Sequence, residues 1–251
     1  ITPTMKVIAI LNHKGGTGKT TSSLNIGAGL AKLNKKVLLI DIDPQTNLSE
    51  GLGVRNVERS IYQSIKEETA LPILNITENL DLVPSSIDLL AAELEMVSRF
   101  GREIIIKKLL NPIKSDYDYI VLDCPPAMGM LTINAIVASD TLLIPLEAEF
   151  YSYTGIDKLV DIIQKVRDNY NEKLTIGGVF ITKYDARRAL TEKMKTSIGK
   201  YFGDKLFDTT IRINVALSEA QLSGKSVFDY DPNSNGAKDY SDLVNEMTAK
   251  I

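Results

Sequence analysis

The chain has 251 residues, of which 44% are hydrophobic, and this length suffices for one large α/β domain with a substantial core. Its net charge of −3 argues against a uniformly basic nucleic-acid-binding protein, although residues 183–225 carry an excess of lysine and arginine. One cysteine excludes a disulfide framework, and no apolar run is long enough to span a bilayer. We expect a cytoplasmic protein that forms a single domain over residues 1–251, with residues 1–4 before Met5 as candidate upstream residues.

The first predicted strand and helix enclose a glycine-rich loop. The apolar run at residues 7–11 predicts a buried strand, and residues 22–34 have apolar side chains at helical spacing. Between them, residues 12–21 read N-H-K-G-G-T-G-K-T-T. Glycines allow backbone N–H groups to converge on an anion, and the helix N-terminus adds partial positive charge. The order of strand, loop and helix therefore predicts a phosphate-binding loop.

The residues of this loop have distinct predicted roles. Lys19 is expected to reach the β- and γ-phosphates, and the Thr20 hydroxyl to bind Mg²⁺. The strict pattern G-x-x-x-x-G-K-[ST] fails, because His13 stands at the position of the first glycine. Lys14 is a second lysine that needs another role, such as reaching phosphates bound by a facing subunit, and a solvated loop lysine is the alternative. The predicted nucleotide-binding residues are Lys14, Gly15, Gly16, Thr17, Gly18, Lys19, Thr20 and Thr21.

Carboxylates stand at the ends of two further predicted strands. Residues 37–42 predict a strand that leads to Asp41 and Asp43, and residues 117–123 predict one that ends at Asp123. Ligands of open parallel sheets lie beyond the carboxyl ends of the strands, so these side chains should face the glycine-rich loop. Asp123 is expected to hold Mg²⁺ directly or through water. Asp41 is expected to be structural, with a direct catalytic role as the alternative.

Three motifs in this part of the chain resemble those of one known family. K-G-G-T-G-K-T at 14–20, V-L-L-I-D-I-D-P-Q at 37–45 and D-C-P-P at 123–126 are similar to motifs of the ParA/MinD ATPases with a deviant Walker A loop. The resemblance favours the ParA/Soj branch and implies a P-loop NTPase fold, doubly wound α/β with a mainly parallel sheet of seven or eight strands flanked by helices. It also implies slow, partner-stimulated hydrolysis of ATP with Mg²⁺.

The resemblance assigns roles to further residues. Asp43 is implied to position or activate the attacking water, and Lys14 and Lys19 to act in catalysis, Lys14 from across a homodimer with ATP between the subunits. Residues 44–49 are implied to form a switch that is sensitive to the γ-phosphate. Residues 147–153 resemble a family loop at the subunit interface.

The other elements follow from apolar periodicity. An apolar stripe over residues 87–97 predicts a helix whose apolar side chains belong to the core. The remaining predictions are helices near residues 61–65, at 104–110, 131–138 and 154–169 and at the C-terminus to about 250, and strands at 80–84, 141–146 and 174–182.

Candidate DNA-binding residues lie in the basic segment. Arg187 matches a family position that contributes to non-specific DNA binding, and Arg188 is its neighbour, with a solvated loop and helix start as the alternative. Residues 211–220 resemble the family stretch I-P-R-N-V-R-L-S-E-A, but Ala216 replaces an arginine that usually contacts DNA. Arg212 is the candidate to compensate for that loss.

The resemblance implies an ATP-dependent dimerising switch that binds double-stranded DNA non-specifically and segregates plasmid or chromosome DNA on the nucleoid with a ParB-type partner. A ParA-like positioner of another cargo is an alternative. A MinD-like membrane regulator is a weaker one, because residues 239–251 carry three acidic side chains against Lys250, so no stable membrane association is expected. An iron–sulfur electron donor resembling nitrogenase reductase needs two cysteines per chain and has only Cys124.

Overall fold

The computed structural model describes residues 5–148 and 155–251, and its centre is one eight-stranded sheet. The strand order is β3-β4-β2-β5-β1-β6-β7-β8, and among the described strands only β3 runs antiparallel to its neighbour. The strands are β1 (Lys6–Ile10), β2 (Val37–Asp41), β3 (Leu74–Thr77), β4 (Leu80–Val83), β5 (Tyr119–Asp123), β6 (Thr141–Glu147), β7 (Thr175–Tyr184) and β8 (Leu206–Arg212). The predicted mainly parallel α/β sheet is confirmed.

Helices cover both faces of the sheet, which explains why β2 and β6 are buried along their whole length. The helices are α1 (Lys19–Lys32), α2 (Asn47–Gly51), α3 (Ile61–Glu67), α4 (Leu89–Met96), α5 (Ile105–Leu110), α6 (Met130–Ala138), α7 (Ile156–Asn169), α8 (Ala189–Phe202), α9 (Val215–Leu222), α10 (Val227–Tyr230) and α11 (Asn235–Lys250). Helices α3 to α8 contribute to the core on one face, and α1, α2 and α9 to α11 to the core on the other.

The sheet order determines where the functional residues meet. Strand β1 lies between β5 and β6, and β5 lies between β1 and β2. Asp123 is paired with Ile10 on one side and with Asp41 on the other. The loop that follows β1 therefore emerges beside the two carboxylates, at the edge where ligands bind in open parallel sheets.

The expectation that the whole apolar stripe of residues 87–97 belongs to the core is wrong. Leu89, Ala92 and Met96 are buried, because α4 packs against α3 and α6 on that side. The apolar residues on the other side of this segment are not covered by any other part of the described chain. Its apolar residues, together with Phe100, form an exposed surface that we call the α4 apolar surface: Ile87, Leu90, Leu94, Val97 and Phe100.

Candidate functional site

The glycine-rich loop between β1 and α1 has the backbone shape of an anion cradle. Gly16 and Gly18 have φ angles of 77° and 83°, in the left-handed region that favours glycine, and a Cβ on Gly15 would meet no atom within 4 Å. Helix α1 begins directly after Gly18. The Lys19 ammonium donates to the Lys14 carbonyl at 3.0 Å. The loop thus presents its backbone N–H groups and Lys19 at a helix N-terminus.

Two residues that the sequence did not single out fix the loop to the sheet. The Asn12 side-chain amide donates to the Pro145 carbonyl at 2.7 Å, and its oxygen accepts from the Lys14 N–H at 3.0 Å. On the other side, the Thr182 hydroxyl donates to the Thr17 carbonyl at 2.8 Å. The contacts of Asn12 with Pro145 and of Thr182 with Thr17 join segments more than 130 residues apart, so local sequence patterns do not reveal them.

Asp123 is fully buried at the end of β5 and has one oxygen available for a ligand. Its Oδ1 accepts a hydrogen bond from the Ser23 hydroxyl at 2.8 Å. Its Oδ2 is buried and has no hydrogen-bond partner among the residues that the structure describes. Burial raises the pKa of Asp123 to about 8, with a further contribution from the charge of Asp41 and opposing effects of Ser23 and Thr20. A bound cation would satisfy this oxygen, so the site fits Mg²⁺.

Asp41 is occupied by contacts within the chain. Its Oδ2 accepts from the Ser49 N–H at 2.9 Å and from the Ser49 hydroxyl at 2.7 Å, and its Oδ1 accepts from the Asp43 N–H at 3.1 Å. Burial raises the pKa of Asp41 to about 7 despite these hydrogen bonds. The contacts tie β2 to the start of α2, as a structural residue would do.

Asp43 lies beside the glycine-rich loop, at the carboxyl edge of the parallel strands, which we call the nucleotide edge, and its backbone is fixed there. Its side-chain Oδ1 accepts from the Gln45 N–H at 2.9 Å, and its carbonyl accepts from the Ser85 hydroxyl at 2.6 Å. It is only 6% exposed and lines the same cavity as the glycine-rich loop. The predicted switch at residues 44–49 contains the start of α2, which begins at Asn47.

A cavity of about 690 Å³ opens above the loop, within the range of small-molecule sites. It is lined by the loop, by Asp43, Gln45, part of α2 and Arg55, and by Pro126, Lys183 and part of α9. Burial lowers the pKa of Lys19, which lies at its base, while the nearby negative charges of Asp123 and Asp43 act in the opposite direction. An anionic phosphate group would offset the cost of burying this ammonium.

Lys14 is held outside the cavity walls. Its ammonium forms an ion pair with Glu147 at 3.3 Å, and the other oxygen of Glu147 pairs with Lys183 at 2.7 Å. Glu147 belongs to the predicted interface loop at 147–153, of which residues 149–153 lie outside the described residues. Cys124 is fully buried, and burial raises the pKa of its thiol well above the usual value, as expected of a small unreactive core residue.

The three candidate DNA-binding arginines lie outside the cavity, and each pairs with a carboxylate. Arg187 forms two hydrogen bonds with Asp185, and Arg188 lies 3.5 Å from the same carboxylate. Arg212 binds the buried Asp239 through its Nε and Nη2 atoms and also through its backbone N–H.

Comparison with known proteins shows which family has this site. A family model described as an AAA domain matches residues 5–176. The sporulation initiation inhibitor protein Soj of Bacillus subtilis strain 168 is 45% identical over 97% of this chain and 98% of its own length. The chromosome-partitioning ATPase Soj of Treponema pallidum strain Nichols is 40% identical over 98% of both chains. This chain belongs to the Soj/ParA family of partitioning ATPases.

A solved structure supports the nucleotide-binding fold of this Soj/ParA-type chain. Cobyrinic acid a,c-diamide synthase from Mycobacterium smegmatis with bound ATP analogue and magnesium has a TM-score of 0.85 and 27% identity over 96% of this chain and 93% of that chain. The predictions of the family, the P-loop NTPase fold and ATPase activity are confirmed. The predicted ligands ATP and Mg²⁺ agree with the ligands named for this neighbour.

The buried carboxylates predict how the stability of this ATPase depends on pH without Mg²⁺ and nucleotide. The pKa values of Asp41 and Asp123 are higher in the folded state than in the unfolded chain, so the folded state binds more protons between about pH 5 and 8. The free energy of unfolding is therefore expected to fall as the pH rises through this range, by about 1 to 3 kcal/mol per pH unit, because each of the two carboxyls contributes up to about 1.4 kcal/mol. Urea unfolding at a series of pH values measures this slope.

The control for this prediction is Asp123→Asn, which removes one of the two titrating groups and should flatten the slope. Saturating Mg²⁺ with nucleotide should also flatten it, because a cation favours the ionised carboxylate. A wild-type stability that rises between pH 5 and 8 would show that these carboxylates are not the dominant titrating groups.

Proposed function

We propose that this Soj/ParA-type ATPase is a switch that binds MgATP, forms a homodimer with the nucleotide between the subunits, and binds DNA non-specifically as the dimer. The observation that carries the proposal is the placement of two lysines. Lys19 is only 6% exposed at the base of the cavity, whereas Lys14 does not belong to the cavity walls in the described part of the chain. Lys14 is therefore suited to reach the phosphates of a facing subunit.

Each group of site residues has its own role in this proposal. The glycine-rich loop from Lys14 to Thr21 binds the phosphates, and Thr20 and Asp123 hold Mg²⁺, which when bound neutralises charge on the phosphates. Asp43 orients the attacking water. Lys14 leaves Glu147 on dimerisation and supplies positive charge to the partner's site, as an arginine finger does in trans. A ParB-type protein stimulates this slow hydrolysis and so releases the dimer.

The α4 apolar surface is a further observation in favour of the proposed dimer. Apolar patches on soluble proteins often mark protein interaction sites. This surface lies beside the segment that follows Asp123, because Glu93 of α4 accepts hydrogen bonds from the N–H groups of Met130 and Leu131 at the start of α6, at 3.0 and 2.9 Å. A second copy of this chain that covers the nucleotide edge would extend over this surface.

The test is the effect of Leu94→Lys on ATP-dependent dimerisation. Leu94 is 77% exposed, so a lysine there should be tolerated in the monomer but should place a charge in the interface. We expect dimerisation with ATP, measured by light scattering after gel filtration, to weaken about tenfold or more, with unchanged ATP affinity of the monomer. Leu33→Lys, at an exposed apolar residue after α1, is the control. Wild-type dimerisation of Leu94→Lys would remove the α4 apolar surface from the interface.

DNA binding is proposed to rest mainly on Arg187 and Arg188. Arg187 is 89% exposed, and a surface ion pair such as that with Asp185 is readily exchanged for a phosphate contact. Arg212 is a poorer candidate, because turning to DNA would leave the buried carboxylate of Asp239 without its partner. Phosphate contacts suffice for sequence-independent binding, and dimerisation doubles their number. Segregation of DNA on the nucleoid would follow from this binding.

A MinD-like role is less well supported. No helix in the described residues is long and apolar enough to cross a membrane. The apolar face of the C-terminal helix α11 is packed in the core through Tyr240, Leu243, Val244 and Met247, so it is not available for a lipid surface. A ParA-like positioner of another cargo would use the same ATPase cycle.

A further inference from the structure

Lys183 has an unusual backbone for a lysine in a strand. It lies near the end of β7 with a φ of 50°, in the left-handed region that non-glycine residues seldom adopt. The pairing of β7 with β8 shifts register between Ile181 and Tyr184, so Lys183 lies at a bulge. Bulges next to functional sites redirect side chains, and strained backbone persists where the surrounding structure imposes it.

The bulge directs the Lys183 side chain into the nucleotide cavity. Lys183 is one of the residues that line this cavity, as Asp43 is. Its ammonium lies 3.8 Å from the position that a Cβ on Gly16 would occupy, so the ammonium is close to the phosphate-binding loop. The side chain is 56% exposed and is therefore open to a ligand that enters the cavity.

Glu147 holds the ammonium in this place. One oxygen of Glu147 accepts from Lys183 at 2.7 Å, and the other lies 3.3 Å from the ammonium of Lys14. The carboxylate is 8% exposed at the end of β6, the strand next to β7. A polyphosphate carries several negative charges, so its oxygens can pair with the Lys183 ammonium. Lys183 can keep its ion pair with Glu147 when this happens, or the phosphate can replace Glu147.

We propose that Lys183 is a nucleotide-binding residue outside the glycine-rich loop, which adds a cation to the phosphate chain on the Gly16 side of the cavity. The strained bulge of β7 aims it, and Glu147 holds it ready before the nucleotide binds. The contact does not require the dimer, so it acts on ATP and ADP in the monomer. The inference deepens the ATPase site and would stand even if the protein did not bind DNA.

The experiment compares four purified variants in nucleotide titrations by calorimetry, with ATP and ADP each at a series of salt concentrations. Lys183→Met removes the charge at similar length, and Lys183→Arg keeps it. Lys183→Asn also removes the charge but suits the left-handed backbone, since asparagine adopts it more readily. Lys225→Met is the matched control, because Lys225 is an exposed lysine beside a different cavity.

Lys183→Met is expected to bind ATP and ADP about tenfold more weakly than wild type at low salt, because a charge-assisted contact is lost. Lys183→Arg should stay within about threefold of wild type, and Lys225→Met should be unchanged. Lys183→Asn should lose affinity like Lys183→Met but unfold at a higher temperature than Lys183→Met, since backbone strain is relieved. If Lys183→Met does not fold, Lys183→Asn shows whether the charge of Lys183 contributes to nucleotide binding.

Two results would overturn the proposal. Wild-type affinity of both neutral variants would show that Lys183 does not contact the nucleotide. An equal loss in Lys183→Arg and Lys183→Met would show that its positive charge is not the contribution.

Discussion

Replacing Lys14 by alanine is expected to lower partner-stimulated ATP hydrolysis about 10³-fold or more, while the affinity of the monomer for ATP changes little. Lys19, not Lys14, lies at the base of the cavity, so the nucleotide keeps its principal lysine in the variant. What is lost is positive charge that Lys14 would supply to the partner's phosphates in the transition state. Single-turnover hydrolysis with DNA and a ParB-type partner measures the loss.

Mixing two inactive variants tests whether Lys14 acts across the dimer. In a mixed dimer of Lys14→Ala and Asp43→Ala subunits, the Lys14→Ala subunit keeps its own Asp43 and receives Lys14 from its partner. Its site should therefore be active, and an equal mixture should recover about a quarter of wild-type hydrolysis, because half of the dimers are mixed and each has one intact site. If Lys14 acted on its own subunit, no mixture would recover activity, and the trans role would be wrong.

Asp43→Ala is expected to lower hydrolysis about 10²- to 10⁴-fold while ATP binding and dimerisation persist. Asp43 lines the cavity, and among the described residues only the Gln45 backbone N–H donates to its carboxylate, so the side chain can orient a water molecule. Loss of this carboxylate should leave the loop unchanged, because Ser85 bonds to the backbone carbonyl of Asp43 and not to its side chain. Hydrolysis and light scattering on the same sample separate the two effects.

Asp41→Ala is the contrasting variant. The Asp41 side chain binds Ser49 and the Asp43 backbone, so its removal should lower the free energy of unfolding as well as hydrolysis. If Asp43→Ala instead destabilised the fold as much as Asp41→Ala does, the proposal that Asp43 orients the attacking water would lose its support.

The central part of the fold could be predicted from sequence because its strands are covered on both faces. Strands β1, β2 and β5 are apolar runs that end in the loop or in a carboxylate, so each pattern places both an element and a site residue. Strands β3 and β8 were not predicted, since both are edge strands with a weak apolar pattern, as Asp208 and two threonines in β8 show.

Contacts between distant segments account for the rest of what the sequence did not show. Ser23 and Asp123 are 100 residues apart, and the ion pair of Glu147 with Lys183 depends on β6 and β7 lying side by side. The spacing of apolar residues over 87–97 indicates a helix, but it does not show which apolar side of that helix another element will cover. Arg212 was predicted from its place in the segment that resembles the family's, and its pairing with Asp239 depends on where α11 lies on β8.

The central claim is that the ATP-bound dimer binds DNA, and one measurement tests it most directly: binding of Asp43→Ala to a non-specific DNA duplex with ATP, with ADP and without nucleotide, across a salt series. We predict binding only with ATP, with an affinity that falls steeply as salt rises, because the contacts are to phosphates. Adding Arg187→Ala and Arg188→Ala to the Asp43→Ala protein should abolish DNA binding without affecting the dimer. ATP-dependent dimers that do not bind DNA, or binding that is equal with ADP, would contradict the claim.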